Sequence, residues 1–210
     1  MLQRSAIFDQ NYDSYVEQLA KINFKSIKTI LGIACHGDQA QIHFLNHKYL
    51  ISKNGIKNSS GNRPDYRICV ILAKYILLCP SQIHLDTKWV SFKDFKRTSH
   101  FTNTNFFASD TQSVMVKHFS GRLKALFNIS KKLGGVPHKM ETPYDLSVQF
   151  NVLPRMSLLL LFNDSDEDFP AHCNVLFPKH AEFYLDPESL AVTSAVLANS
   201  LIETDQTWSD

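Results

Sequence analysis

Residues Leu153–Phe177 read LPRMSLLLLFNDSDEDFPAHCNVLF, and this stretch is the sharpest feature of the sequence. An uninterrupted apolar run, Leu158–Phe162, is followed almost at once by a cluster of carboxylates. We call residues 164–168 the acidic turn, and its charged members are Asp164, Asp166, Glu167 and Asp168. Phe169 and Pro170 close it, and a second apolar run, Val175–Phe177, follows. Two apolar runs of this length joined by a charged link are typical of neighbouring strands in a sheet.

The residues before and after the acidic turn extend the strand pattern. Apolar side chains alternate with polar ones in a way that predicts a half-buried strand, through Tyr144, Leu146, Val148, Phe150 and Val152. The continuous run Leu158–Phe162 predicts a strand in the centre of a sheet with both faces covered. Cys173–Phe177 predicts a third strand.

Helices and short strands account for the rest of the chain. Apolar spacing and capping residues predict helices at Gln10–Ile22, Pro64–Leu78, Ser109–Ser130 (ended by Gly134–Gly135) and Asp186–Glu203. Short strands are predicted at Thr29–Cys35, Gln41–Leu45, Lys48–Ser52 and Trp89–Phe92, with a hairpin turn at Asn46–His47 and a loop at Lys53–Asn62. This order predicts an α+β fold, with a mainly antiparallel sheet packed with about four helices. We interpret residues 1–210 as a single domain with a flexible tail at 206–210.

Composition excludes several classes of protein. The 210 residues are 44% hydrophobic, which is enough for a buried core. Lys plus Arg number 22 and Asp plus Glu number 20, so we expect no dedicated nucleic-acid binding. No apolar run approaches the roughly 18 residues of a membrane span, and residues 1–13 do not resemble a secretory signal. We therefore predict a cytoplasmic protein with no membrane segment and with four reduced cysteines, since none has CxxC spacing.

The acidic turn is the sharpest candidate site. Asp164, Asp166 and Asp168 have the spacing that begins a calcium loop, but an EF-hand needs Gly at its sixth position and Glu at its twelfth. Phe169 and Val175 stand there, so an EF-hand is excluded. Three alternatives remain: a magnesium or calcium site, a solvated turn between apolar strands, and carboxylates that accept backbone N–H groups or pair with Lys or Arg. Phe169–Pro170 is predicted to anchor the turn.

Aromatic residues supply further candidates. Trp89, with Phe92 and Phe95, favours a core position over a stacking platform, and we retain Trp89 as a candidate contact residue. The polar loop Phe101–Asp110 contains three Phe, so it either packs on the body or offers Phe106–Phe107 to a partner. The nine histidines are scattered, and no phosphate loop is present, which leaves catalytic residues and cofactors unknown.

Four segments resemble a known family pattern when they are taken in order. They are WVSF at Trp89–Phe92, LGG at Leu133–Gly135, Leu153–Pro154 with DEDFP at Asp166–Pro170, and Leu176–Phe177 with Tyr184, Leu185 and Glu188. Together they resemble the prokaryotic family DUF3786, whose function is unknown. The family pattern has Glu at the position of Asp168, usually Trp near Phe162, and Gly-Gly where Thr98–Phe101 stands. A degenerate member with an altered site is therefore a third alternative.

The resemblance implies a link to anaerobic one-carbon or corrinoid metabolism. Some members carry a cysteine-rich iron–sulfur module, whose spacing does not occur in this sequence. Our leading hypothesis is a non-catalytic binding or accessory module for a protein partner or a small ligand. Its candidate residues are Asp164, Asp166, Glu167, Asp168, Phe169 and Trp89. The alternative is a metal-dependent enzyme or metal-binding protein, in which Asp164, Asp166 and Asp168 are ligands, or Asp166, Glu167 and Asp168 serve as ligands or as general acid and base.

Overall fold

The computed structural model describes residues 6–95, 108–139 and 144–207. These residues form six α-helices and two antiparallel sheets, which confirms the α+β class. The helices are α1 Ala6–Leu19, α2 Phe24–Leu31, α3 Tyr66–Leu77, α4 Val114–Phe119, α5 Leu123–Lys132 and α6 Pro187–Gln206. Among them, none combines the length and apolar character that a bilayer span requires. The single domain over residues 1–210 stays a prediction.

The first sheet is a meander of four strands in chain order: β1 Ala34–His36, β2 Gln39–Phe44, β3 His47–Ser52 and β4 Gly55–Asn58. The hairpin turn between β2 and β3 falls at Leu45–Asn46, one residue earlier than predicted, and both residues have positive φ, 46° and 63°. Strand β4 lies inside the segment predicted as a loop. Its backbone N–H at Ile56 donates to the Tyr12 hydroxyl at 3.0 Å, a tertiary contact that the local composition does not encode.

The strand predicted at Thr29–Cys35 is wrong over its first half. Residues Phe24–Leu31 form α2, because the side chain of Asn23 accepts the Lys25 N–H at its start and Gly32 ends it with a φ of 68°. Only the last part of the predicted strand, from Ala34, enters the sheet as β1.

The second sheet has the order β5–β9–β8–β7–β6. Its strands are β5 Trp89–Ser91, β6 Val136–Pro137, β7 Leu146–Leu153, β8 Met156–Asn163 and β9 His172–Pro178. The run Leu158–Phe162 therefore lies in the central strand, as predicted. Leu158, Leu160 and Phe162 pack in the main core, whereas Leu159 and Leu161 are equally buried on the other face of the sheet.

The long helix predicted from Ser109 is divided. A π-helical turn, Ala108–Ser113, leads into α4. The helical conformation is interrupted at Gly121, whose φ is 72°, before α5 begins. The Gly121 N–H donates to Asp164 Oδ1 at 2.7 Å, outside any helix. A residue of the acidic turn thus satisfies a backbone group that the break sets free.

The segment Gly134–Gly135 lies where the two sheets meet. A Cβ on Gly135 would collide with Val148 and Phe150 of β7, so only glycine lets the chain lie this close to the strand. Gly134 has a φ of 78° and contacts the side chain of Asn46, whose Nδ2 donates to the Leu133 carbonyl at 3.3 Å. The hairpin of the first sheet is thereby fixed against the second.

We expect Gly134→Ala to destabilise the protein more than Gly61→Ala. The two glycines have nearly equal φ values, 78° and 77°, but a Cβ at Gly61 would meet nothing within 4 Å. The difference in the free energy of unfolding should be about 1 kcal/mol, the typical value of the hydrogen bond that Asn46 would lose. Chemical denaturation of both variants measures it.

Asn46→Gly provides the control, because glycine accepts the positive φ and removes the side chain. In that background the excess cost of Gly134→Ala should disappear. Equal losses for Gly134→Ala and Gly61→Ala in the natural background would contradict this account of the junction.

Candidate functional site

Two carboxylates of the acidic turn, those of Asp164 and Asp166, accept backbone N–H groups. Asp164 Oδ1 accepts the N–H groups of Gly121 at 2.7 Å and Ser165 at 2.9 Å. Asp166 Oδ1 accepts those of Asp168 at 2.9 Å and Phe169 at 2.7 Å. Among the alternatives that the sequence left open for the acidic turn, this is the one in which its carboxylates accept backbone N–H groups. The two side chains thereby stabilise a tight turn.

The outer side of the acidic turn is exposed. Glu167 and Asp168 face solvent, and 70% of the Phe169 side chain is exposed, so the prediction that Phe169 anchors the turn is wrong. Its N–H fixes the backbone while its ring stays outside the core. Over residues 6–95, 108–139 and 144–207, no three His, Cys, Asp or Glu side chains are arranged to hold a metal ion. Use of a metal by Asp164, Asp166 and Asp168 stays a prediction.

Trp89 lies at the other end of the second sheet. The acidic turn follows the last residue of β8, whereas Trp89 pairs with Pro178, which lies beside the first residues of β8. The two ends of this eight-residue strand are roughly 20 Å apart. The structure therefore separates Trp89 from the other five candidates. The predicted aromatic loop at Phe106–Phe107 and the departure at Thr98–Phe101 lie outside the described residues.

Trp89 borders a cleft of about 660 Å³ where the two sheets meet. Its ring contacts that of His138 edge-on, with 5.8 Å between ring centroids. The two residues belong to opposite edges of the sheet, since Trp89 begins β5 and His138 follows β6. His43 and Asn46 of the first sheet complete the border on the far side. The cleft thus draws on both sheets.

A row of polar side chains lies along the sheet within the cleft. Gln149 Nε2 donates to Ser157 Oγ at 3.3 Å, and Ser157 Oγ donates to Asn151 Oδ1 at 2.8 Å. Side chains two apart on one strand share a face, and Asn151 pairs directly with Ser157 across to β8. Gln149 and Asn151 are polar members of the alternation that predicted β7, whereas Ser157 belongs to β8. The alternation marks a polar face, but it does not distinguish solvent from a ligand cleft.

His180 joins two walls of the cleft. Its Nδ1 lies 2.8 Å from the Asp86 backbone N and 3.0 Å from the Asp86 carbonyl oxygen, and its Nε2 donates to the Arg155 carbonyl at 3.0 Å. The neighbouring Tyr184 hydroxyl accepts the His84 N–H at 2.9 Å and donates to the His84 carbonyl at 3.1 Å. Residues 84–86 are therefore fixed beside the turn between β7 and β8.

Arg155, in that turn, is held by three further hydrogen bonds. Its N–H donates to the Tyr75 hydroxyl at 3.2 Å, its Nε to the Ile30 carbonyl at 3.1 Å, and its Nη2 to the Thr29 carbonyl at 2.8 Å. Tyr75 in turn donates to the Leu31 carbonyl at 2.7 Å. Burial raises the pKa of Tyr75 far above its usual value, so the hydroxyl remains a donor at any physiological pH.

Sequence reasoning identified one residue of this cleft, Trp89. It missed His138, Asn151 and Arg155, because the segment after β6 and the β7–β8 hairpin meet Trp89 only in the folded chain. The signal that pointed nearby was the Leu153–Pro154 pair of the family pattern, which lies directly before Arg155. Cys173 is a poor nucleophile, because burial raises the pKa of its thiol to about 12.

We expect Asp164→Ala to lower the free energy of unfolding by about 1–2 kcal/mol, since it removes the acceptor of two backbone N–H groups. Asp164→Asn keeps an acceptor oxygen and should lose less. Glu167→Ala, at an exposed position of the same turn, should stay within about 0.5 kcal/mol of the natural protein. Equal losses for Asp164→Ala and Glu167→Ala in urea denaturation would contradict a structural role for Asp164.

The family model described as a domain of unknown function (DUF3786) matches residues 23–200, which include both sheets, the acidic turn and the cleft. Neither a curated protein nor a solved structure matches the chain. Because the family model covers most of the sequence, this protein belongs to the DUF3786 family.

Proposed function

We propose that this protein is a non-catalytic binding or accessory module that takes up a small ligand in the cleft beside Trp89. The observation that carries the proposal is the hydrogen-bonded row of Gln149, Ser157 and Asn151 beside an aromatic pair. Small-molecule sites combine apolar and aromatic walls with a few placed polar groups, and the volume of about 660 Å³ falls within their usual range.

Rigid walls support a binding role. Tyr184 and His180 fix residues 84–86, and Tyr75 fixes the turn that contains Arg155. A site whose side chains are already held by packing and hydrogen bonds loses less conformational entropy when a ligand binds. The cleft is therefore organised before any ligand enters.

The hydrogen bonds of His180 favour binding over catalysis. Both of its ring nitrogens bond to backbone groups, at 2.8 Å and 3.0 Å, so the imidazole has no nitrogen left to exchange a proton with a substrate. A general base must reach the proton that it removes. His180 therefore acts as a structural residue of the cleft wall.

The acidic turn is our proposed surface for a protein partner. Glu167, Asp168 and Phe169 are exposed and lie at the opposite end of β8 from the cleft, so a partner could bind there without blocking the ligand. The cytoplasmic location stays a prediction from composition, and the link to anaerobic one-carbon or corrinoid metabolism stays a prediction that rests on the family resemblance.

A fragment screen tests the ligand proposal. Trp89 and Trp208 are the two tryptophans, so Trp208→Phe leaves Trp89 as the sole intrinsic fluorophore of that kind. In this variant we expect members of a library balanced in anionic, neutral and cationic fragments to change Trp89 fluorescence at millimolar concentration. Asn151→Phe, which places a ring in the cleft, should weaken these fragments at least about tenfold.

Lys124→Ala is the matched control, because Lys124 is exposed on α5 and does not line the cleft. It should leave fragment binding unchanged. Fragments that bind equally well to the Asn151→Phe variant, or a library with no member that affects Trp89, would contradict the proposal.

A further inference from the structure

Arg155 differs from the other described arginines in its charge environment. Arg63 pairs with Asp9 at 2.7 Å, Arg67 with Asp65 at 3.0 Å, and Arg122 with Asp205 at 2.7 Å. Within the described part of the chain, the guanidinium of Arg155 forms no ion pair with a carboxylate. Arg155 lines the cleft, and its Nε lies beside Gly32, which also lines it.

The hydrogen bonds of Arg155 leave donors unused. A guanidinium has five N–H groups, and the bonds to the Ile30 and Thr29 carbonyls use two of them. The other three have no partner among the residues that the structure describes. A partly buried arginine with unpaired donors is a ready site for a carboxylate or a phosphate, because its fork matches two oxygens of such a group.

The guanidinium of Arg155 is held against the C-terminal end of α2, and this contact does not cancel its charge. The carbonyls of Thr29 and Ile30 belong to the last turn of the helix, whose C-terminus carries a partial negative charge of about half a unit. The side chain is therefore oriented in advance, and positive charge remains to attract an anion.

Among the described residues that line the cleft, Asp86 is the one with a carboxylate. Its Oδ1 accepts the Lys88 N–H at 2.8 Å, which fixes its position, and it does not pair with Arg155. Asp86 would repel an anion, and its removal should therefore strengthen anion binding if Arg155 is the receptor.

We infer that the ligand of the cleft is a small organic anion, whose carboxylate or phosphate binds Arg155 while its apolar part packs against Trp89 and His138. The inference rests on the proposed function and adds the chemical class of the ligand. The two anionic groups share the same recognition by a guanidinium, and the experiment below distinguishes them.

Three probes of similar shape test the charge requirement: benzoate, phenyl phosphate and benzamide. Titrations monitored by Trp89 fluorescence in the Trp208→Phe variant should show at least one anionic probe binding about tenfold more tightly than neutral benzamide, the usual gain from a charge-assisted hydrogen bond. Whichever of benzoate and phenyl phosphate binds more tightly identifies the anionic group.

Variants assign the effect to Arg155. Arg155→Gln should reduce the affinity for the anionic probe to that for benzamide, and Arg155→Lys should restore only part of it, because an ammonium lacks the fork. Since Arg155 also stabilises the fold, Asp86→Asn provides a second arm. It keeps the acceptor for the Lys88 N–H, and it should strengthen anion binding several-fold.

Two outcomes would overturn the inference. One is that benzamide binds as tightly as both anions and that Asp86→Asn leaves the affinity for the anions unchanged. The other is that none of the three probes affects Trp89. In either case the proposed function is judged separately, because neutral or cationic fragments that bind in the cleft and are lost in the Asn151→Phe variant would still support it.

Discussion

The hydrogen bonds of Arg155 are the constraint on which the rest of the site depends. The N–H of this residue donates to Tyr75 of α3, its carbonyl accepts from His180, and its side chain donates to the last turn of α2. One turn between two strands is therefore bonded to three separate segments of the chain. A polar network that is partly buried favours a single arrangement, because each buried partner left unpaired would cost free energy.

The junction of the two sheets gives the cleft its second side. Leu45 and Asn46 adopt positive φ, which is a strained conformation for Leu. Burial of the Leu45 side chain and the hydrogen bond from its N–H to the Val152 carbonyl, at 3.3 Å, offset this strain. Asn46 also bonds to Leu133, and glycine at 134 leaves room for it. The LGG segment thus has a structural explanation. It brings a hairpin of one sheet to the border of a cleft that the other sheet lines.

The sequence predicted the elements whose pattern is local. The alternation through Phe150, the apolar run at Leu158–Phe162 and the Asp186–Pro187 start of α6 all have the predicted structure. At Thr29 the strand prediction overlooked two local caps, Asn23 and Gly32, which delimit a helix. At Gly121 a tertiary contact decides, because its N–H bonds to a residue 43 positions away. Of the cleft residues, the sequence predicted Trp89 alone. His138 reaches the cleft through the pairing of β6 with β7, and Arg155 reaches it through the turn between β7 and β8.

The central claim is that the working site is the cleft around Arg155 and that Asp164 and Asp166 stabilise a turn. Amide chemical-shift mapping by NMR, with the full chain and the tightest-binding fragment, tests it most directly. The account predicts that the largest shifts fall on Asn46, Trp89, Asn151 and Arg155, which border one cleft. Shifts concentrated on residues 164–169, with the cleft unchanged, would contradict it.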